Sequence, residues 1–268
     1  MRTRRLLALI AVVVLVAAAT VAYAFLRTPD EASEPITAIP FAPSPVAASP
    51  TPSPDASPSP LPPAVDPSPT PEPVASPTAE PPAGPAASGP VLFEIVQEGS
   101  EARFLINEVL RGADKTVVGV TNQAAGQISI DAANPPNSKV GVIQVNARTL
   151  TTDNNFRNRA LKNQILRTND FEFVTFEPTE IRGMPTSALP GDTVTFQVAG
   201  NLTITDVTRP VVFDLTVTAV ASDQIKGLAE TKILWRDFAL FIPDSPSVDT
   251  VADDVILQLE FVARAVGK

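Results

Sequence analysis

Between residues 193 and 221, apolar and polar side chains alternate with a period of two. Phe196, Val198, Leu202 and Ile204 share one parity, with Gly200 between them, while Gln197, Asn201, Thr203 and Thr205 share the other. Past Thr208, Arg209 and Pro210 the pattern resumes, with Val211, Phe213, Leu215 and Val217 set against Asp214, Thr216 and Thr218. Successive side chains of a strand point to opposite faces, so these are two strands with one apolar and one wet face. The last strand candidate repeats the signature: Val255, Leu257, Leu259 and Phe261 on one face, Gln258 and Glu260 on the other. A single flat sheet would leave such a face in water. The sheet must therefore close into a barrel or fold over as a sandwich, and closure also removes exposed edges.

Strand candidates recur through the C-terminal two thirds of the chain, at 91–96, 101–107, 116–121, 126–132, 139–147, 174–181, 193–205, 211–221, 224–235 and 254–264. One segment breaks the rhythm. Residues 151–167 carry Thr152 or Asp153 as a helix N-cap, with Phe156, Ala160, Leu161 and Ile165 at helical spacing. Many strands, short turns and one helix predict an antiparallel all-β domain spanning residues 91–268.

The first ninety residues are different material. Twenty-one of the 29 prolines fall between Pro29 and Pro90, with seven acids, no Lys or Arg, and one aromatic, Phe41. Such a composition buries too little apolar surface to offset the entropy of ordering. Residues 29–90 are therefore expected to be a disordered, Pro-rich linker. Ahead of it, Arg2, Arg4 and Arg5 precede an uncharged, mostly apolar run from Leu6 to Leu26. At 1.5 Å per residue that run makes roughly 30 Å of helix, enough to cross a bilayer. Residues 1–28 read as a signal-anchor, with the N-terminus kept in the cytoplasm by the arginines and the domain sent outside. The alternative is a cleaved signal peptide, because Ala22-Tyr23-Ala24 has the A-x-A form. Either reading exports the domain, to the membrane surface in the first case and to the periplasm or medium in the second.

What is missing bounds the chemistry. The chain has no Cys and no His. That removes disulfides, thiolate catalysis, the commonest general base and the commonest zinc ligand. No nucleotide-binding or hydrolase motif is present. Residues 91–268 carry 16 basic against 22 acidic side chains without a Lys/Arg cluster in their C-terminal part, so nucleic acid is not an expected partner. Asp244, Asp249, Asp253 and Asp254 lack the spacing of a calcium loop and read as a solvated loop. Asp153-Asn154-Asn155 reads as capping and turn chemistry. Arg236-Asp237 beside Trp235 reads as an ion pair or turn ahead of a clamp at a barrel mouth. Asn201-Leu202-Thr203 is a glycosylation sequon placed in a strand. No catalytic residue, metal site or cofactor is expected.

Several stretches resemble the YceI-like family of polyisoprenoid-binding proteins. They include SEARFLIN (100–107), VVGVT (117–121), GQISID (126–131), NARTLTTDNNFRNRALKNQILRTNDFEFVTFEPTEI (146–181), FQVAGNLTITDVTRPVVFDLTV (196–217), WRDFAL (235–240) and VADDVILQLEFVA (251–263). The chain departs from that family's pattern in places. Thr205-Asp206 stands where a glycine is usual, Ala239 replaces another glycine, and the helix segment lacks a common histidine. The resemblance implies a lipocalin-like antiparallel barrel with a helix beside it and an extended lumen for an isoprenoid-type or amphiphilic ligand.

Two functional readings follow. In the first, the protein is a membrane-tethered binding protein that sequesters or carries an apolar lipid. Phe196, Val198, Leu202, Ile204, Val211, Phe213, Leu215, Val217, Val255, Leu257, Leu259 and Phe261 are then the lumen-facing candidates. In the second, the same side chains fill the barrel, and the domain is a structural or interaction module without a ligand. An eight-stranded barrel accommodates either, so alternation alone leaves both open.

Overall fold

The computed structural model describes Tyr23 and residues 28–33, 35–41, 89–187 and 191–266. The expected anchor at residues 6–26 lies outside this set, Tyr23 apart. Among the described residues no helix is long and apolar enough to cross a membrane.

Eleven strands form one antiparallel sheet: β1 (Val91–Leu110), β2 (Ala113–Thr121), β3 (Ala124–Ala125), β4 (Gln127–Ile130), β5 (Lys139–Val140), β6 (Ile143–Asn146), β7 (Phe173–Arg182), β8 (Thr193–Ile204), β9 (Val207–Ala221), β10 (Gln224–Leu234) and β11 (Val248–Ala265). The path runs β3-β6-β7-β8-β9-β10-β11-β1-β4-β5, with β2 paired to β1. The sheet is curled, yet its ladder does not join into a ring. Its ends approach through single links: the Val120–Thr151 bridge, Ile95 N–H to Gly126 O at 2.9 Å, and Asn146 N–H to Gln123 O at 2.9 Å. The expected closed barrel is thus an open one, because the strands at the seam, β3 to β6, are two to four residues long.

The two strands expected at 91–96 and 101–107 are one. β1 pairs with β11 throughout, with a bulge between Val96 and Glu101 where Gly99 takes φ +81°. The extra residues switch parity, so the inward positions run Phe93 and Ile95 before the bulge and Ala102, Phe104 and Ile106 after it. The expected helix is shorter than residues 151–167. It comprises α1 (Asn155–Ala160) followed by a π turn over Leu161–Ile165. Its N-cap is Asn154, not Thr152 or Asp153: the Asn154 side chain accepts from the backbone N–H groups of Phe156 and Arg157. α1 and its π turn lie at the end of the barrel shared by the β1–β2, β8–β9 and β10–β11 connections. Leu161 and Leu166 are buried there against Trp235 and Phe238.

Gly200, the gap in the β8 alternation, has a packing reason. A Cβ there would come within 2.5 Å of the Glu177 carbonyl and 2.6 Å of the Phe176 ring. That ring also meets Phe213 edge-on, at 4.9 Å between centroids.

A correction concerns residues 28–41, read above as the start of a disordered linker. They lie along the outside of the seam and form one compact unit with the barrel. Asp30 N–H donates to Asn169 Oδ1 at 3.0 Å, Ser33 N–H to Glu172 Oε1 at 2.7 Å, and Phe41 N–H to Gln127 Oε1 at 3.1 Å. Arg148 Nη1 donates to the Glu31 carbonyl at 2.9 Å, and Ile36 exchanges longer hydrogen bonds with Gln123 and Gln97. The seam's short strands leave polar side chains without ladder partners, and this strap supplies them with backbone groups. The remainder of the expected linker, residues 42–88, lies outside the described residues.

Candidate functional site

The inward faces of β1, β4 and β6 to β11 enclose a cavity of about 500 Å³. Phe196, Val198, Leu202 and Ile204 of β8, Phe213, Leu215 and Val217 of β9, and Val255, Leu257, Leu259 and Phe261 of β11 all line it. Val211 is not among the lining residues: it shares their parity, stands opposite Gly200 and packs against the same apolar cluster. Sequence alternation placed these strands and missed the rest of the enclosure. β1 contributes Phe93, Ile95, Phe104 and Ile106, and the helix end contributes Leu161, Ile165, Trp235, Leu240 and Ile242. The Phe93/Ile95 and Phe104/Ile106 pairs carry the same period-two signal, hidden by the parity switch at the bulge.

The lining is mostly apolar; Arg103 and Gln258, opposite each other on β1 and β11, are polar members of the wall between its ends. At the helix end, Glu108 occupies an inward position of β1 and is buried. Arg157 of α1 reaches down to it, Nη2 to Oε1 at 2.7 Å. A buried carboxylate without a cation would be strongly unfavourable, so α1 is held to the barrel partly by this pair. Arg157 also pairs with Asp153, which takes Lys115 Nζ at 2.6 Å. The hydrogen bond from Lys115, aided by the charge of Arg157, holds the Asp153 carboxyl below the ordinary range. Neither Glu108 nor Arg157 stood out in the sequence, because a lone acid in a strand looks like a wet position.

Trp235, the single tryptophan, borders the cavity, and its indole N–H donates to the Ala252 carbonyl at 3.1 Å. The Arg236 guanidinium covers the ring at 4.1 Å from the centroid and pairs with Asp253 at 2.8 Å. Asp237 takes no part in that pair; its carbonyl accepts from Arg209. The four acids of the 244–254 stretch do not converge. Asp249 accepts from Gly112 N–H, Asp253 takes Arg236, and Asp254 takes Lys232 at 3.0 Å. Among the described residues no group of three or more Asp or Glu is placed to hold a metal ion. Asn201 sits in β8 opposite Pro210.

The arrangement can enclose an apolar molecule. Among the described residues no nucleophile–base pair lines the cavity, and the buried Glu108 carboxylate is neutralised by Arg157.

Comparison with known proteins agrees with the architecture. A UPF0312 protein of Yersinia pestis is 28% identical over 176 residues, covering 63% of this chain and 85% of that protein. A counterpart from Yersinia enterocolitica is 26% identical over the same length. A polyisoprenoid binding domain from Saccharophagus degradans superposes with a TM-score of 0.50 at 12% identity, covering 65% of this chain and 99% of that one. BcnA of Burkholderia cenocepacia gives a TM-score of 0.49 at 16% identity, covering 63% of this chain and 98% of that one. The YceI-like domain model matches residues 93–263, which take in the cavity wall apart from Val91, and the chain belongs to the YceI-like family.

Proposed function

We propose that the protein binds an isoprenoid-like or other apolar lipid in the barrel lumen, without covalent chemistry, and holds or carries it outside the cytoplasm. Members of this family are binding proteins and not enzymes. The observation that carries the reading is the cavity itself. About 500 Å³ lies within the range of small-molecule sites, roughly 300–1,000 Å³. Its wall is built from Val, Leu, Ile and Phe, so water gains few hydrogen bonds inside. Unfilled apolar volume costs roughly 24 cal/mol per Å³ in core-truncation variants. A cavity of this size left empty therefore forgoes packing on the order of 10 kcal/mol, which an apolar guest recovers in part. The alternative module with a filled core expects those side chains to meet in the middle. The relative from Saccharophagus degradans, named for polyisoprenoid binding, supports the class of ligand. The three N-terminal arginines and the apolar run from Leu6 to Leu26 support export with the run retained as an anchor.

Trp235 provides the test, since it borders the lumen and is alone. Titration with an isoprenoid quinone should quench its emission saturably, and a polyprenol should compete. Unchanged emission over the solubility range of both would remove the proposal.

A further inference from the structure

The strap fixes where the barrel stands relative to the apolar run that precedes it. Leu26 ends that run, and Asp30 is already hydrogen-bonded to Asn169, with Glu31 bonded to Arg148. Four residues of chain reach at most roughly 14 Å. Asn169 follows the helix segment directly, so this attachment lies at the helix end of the barrel. From there the strap runs along the seam and ends at Phe41 beside Gln127, whose strand partner is Glu94 near the opposite end. The chain re-enters the described structure at Gly89, two residues before Val91, which pairs with Ile130 at that same far end. Phe41 and the start of β1 thus both lie toward the end of the barrel away from the strap's first contact.

We propose that the helix side of the barrel rests against the lipid headgroups of the membrane that holds residues 6–26. This rests on reading residues 6–26 as a retained anchor. The surface at the helix end fits a lipid headgroup layer. Phe156 stands 80% exposed on the first turn of α1, although every other aromatic of residues 89–266 except Phe241 is at least partly buried. A phenylalanine exposed on an interfacial surface buries at the boundary between headgroups and acyl chains. Between Asn154 and Asn169 the chain carries Arg157, Arg159, Lys162 and Arg167 and no acid, in a protein of net charge -9; Arg157 is paired with Glu108 and Asp153 and Arg167 with Asp206, so Arg159 and Lys162 are the cations of this stretch that a headgroup would meet. Cations next to a membrane surface are attracted by anionic lipids. Acids stand at this end too, Asp153, Asp170 and Asp206 beside the helix segment, Asp244 in the β10–β11 connection and Asp249 at the start of β11, so the run of cations is confined to residues 154–169. Leu161 and Ile165 of that side also line the lumen, so a lipid at the headgroup level would face one end of the cavity.

The chain has no cysteine, so a single one can carry a fluorophore. Full-length protein with Asn155→Cys on α1, or Ser222→Cys at the far end, is labelled and reconstituted into vesicles of phosphatidylcholine and phosphatidylglycerol containing a lipid with a nitroxide headgroup. The expected result is quenching several-fold stronger at Asn155→Cys than at Ser222→Cys, unchanged when residues 50–80 are deleted. Protein that floats with the vesicles but shows weak, equal quenching at both sites, or quenching that grows on deletion, overturns the proposal and leaves the anchor standing. Protein that does not float with the vesicles overturns the anchor and the proposal together. Lipid binding in the lumen, read from Trp235, is independent of either outcome.

Discussion

Thr205 and Ala239 both adopt left-handed backbone, at φ +56° and +51°, and both stand where the family resemblance leads one to expect glycine nearby. A side chain in this conformation costs roughly 1–2 kcal/mol. Glycine would remove that cost while losing about 0.4–1 kcal/mol through greater freedom of the unfolded chain. Ala239→Gly should therefore stabilise the domain by up to ~1 kcal/mol, visible as a higher urea midpoint at unchanged slope. Thr205→Gly should gain less, because its hydroxyl donates to the Ile204 carbonyl and supports the turn. Gly200→Ala should do the reverse, since its Cβ would meet the Glu177 carbonyl and the Phe176 ring. A loss of at least ~1–3 kcal/mol is expected, as for overpacked cores. A neutral Gly200→Ala in the same titration would contradict the close approach. Departures from the family pattern were readable in the sequence; their backbone cost was not, because φ is set by the turn and not by residue type alone.

At the scale of elements, the strap turns on Glu172. Burial alone would raise its carboxyl pKa. The side-chain and backbone hydrogen bonds from Ser33, with Asn146 and the charge of Arg148, outweigh burial and hold it below the ordinary range. A depressed carboxylate contributes stability above its unfolded value, near pH 4.3, and that contribution is lost as pH falls through the lower folded value. The protection factor of the Ser33 amide, its exchange relative to the intrinsic rate at each pH, should fall on acidification below about pH 4.3, and Glu172→Gln should remove most of that pH dependence. The same substitution leaves Arg148 without its carboxylate partner, 12% exposed and 3.1 Å away. It should cost about 1–3 kcal/mol at neutral pH. A pH-independent protection factor at Ser33 in the wild type would mean that Glu172 does not hold the strap. A domain starting at Gly89 should melt below one starting at Thr28; equal melting temperatures would make the strap a bystander. The strap was hidden in the sequence by its neighbours. Averaged over residues 29–90, prolines dominate, yet Ile36, Ile39 and Phe41 fall within six residues, while 42–88 holds only Val46, Leu61, Val65 and Val74 as large apolar side chains. A narrower window carries the signal. The long strands and their inward parity were legible because β8, β9 and β11 keep strict alternation over ten residues or more. The seam was not, since β3 to β6 are too short to show a period. The helix was found but overextended, as Asn154 takes the cap that Thr152 and Asp153 also offered.

For the whole molecule, the question left by alternation was whether twelve apolar side chains on three strands meet one another or face a space. Periodicity cannot report volume. The cavity depends on barrel girth and on the helix-end closure by Leu161, Trp235, Leu240 and Ile242, which no single strand encodes. Burial of ~500 Å² of apolar ligand surface at about 25 cal/mol per Å² would contribute on the order of 12 kcal/mol gross. Lost freedom offsets roughly 4–15 kcal/mol of that, so affinity must be measured. The most direct measurement is native mass spectrometry of the full chain isolated from the cells that make it, beside Val198→Trp and Leu215→Trp. Both residues point into the lumen. The expected result is an apolar small molecule retained by the wild type and lost from both variants, with their melting temperatures close to that of the wild type. Bare wild-type protein, even after incubation with polyprenols and isoprenoid quinones, together with variants destabilised by several kcal/mol as in an overpacked core, would contradict a ligand-holding lumen.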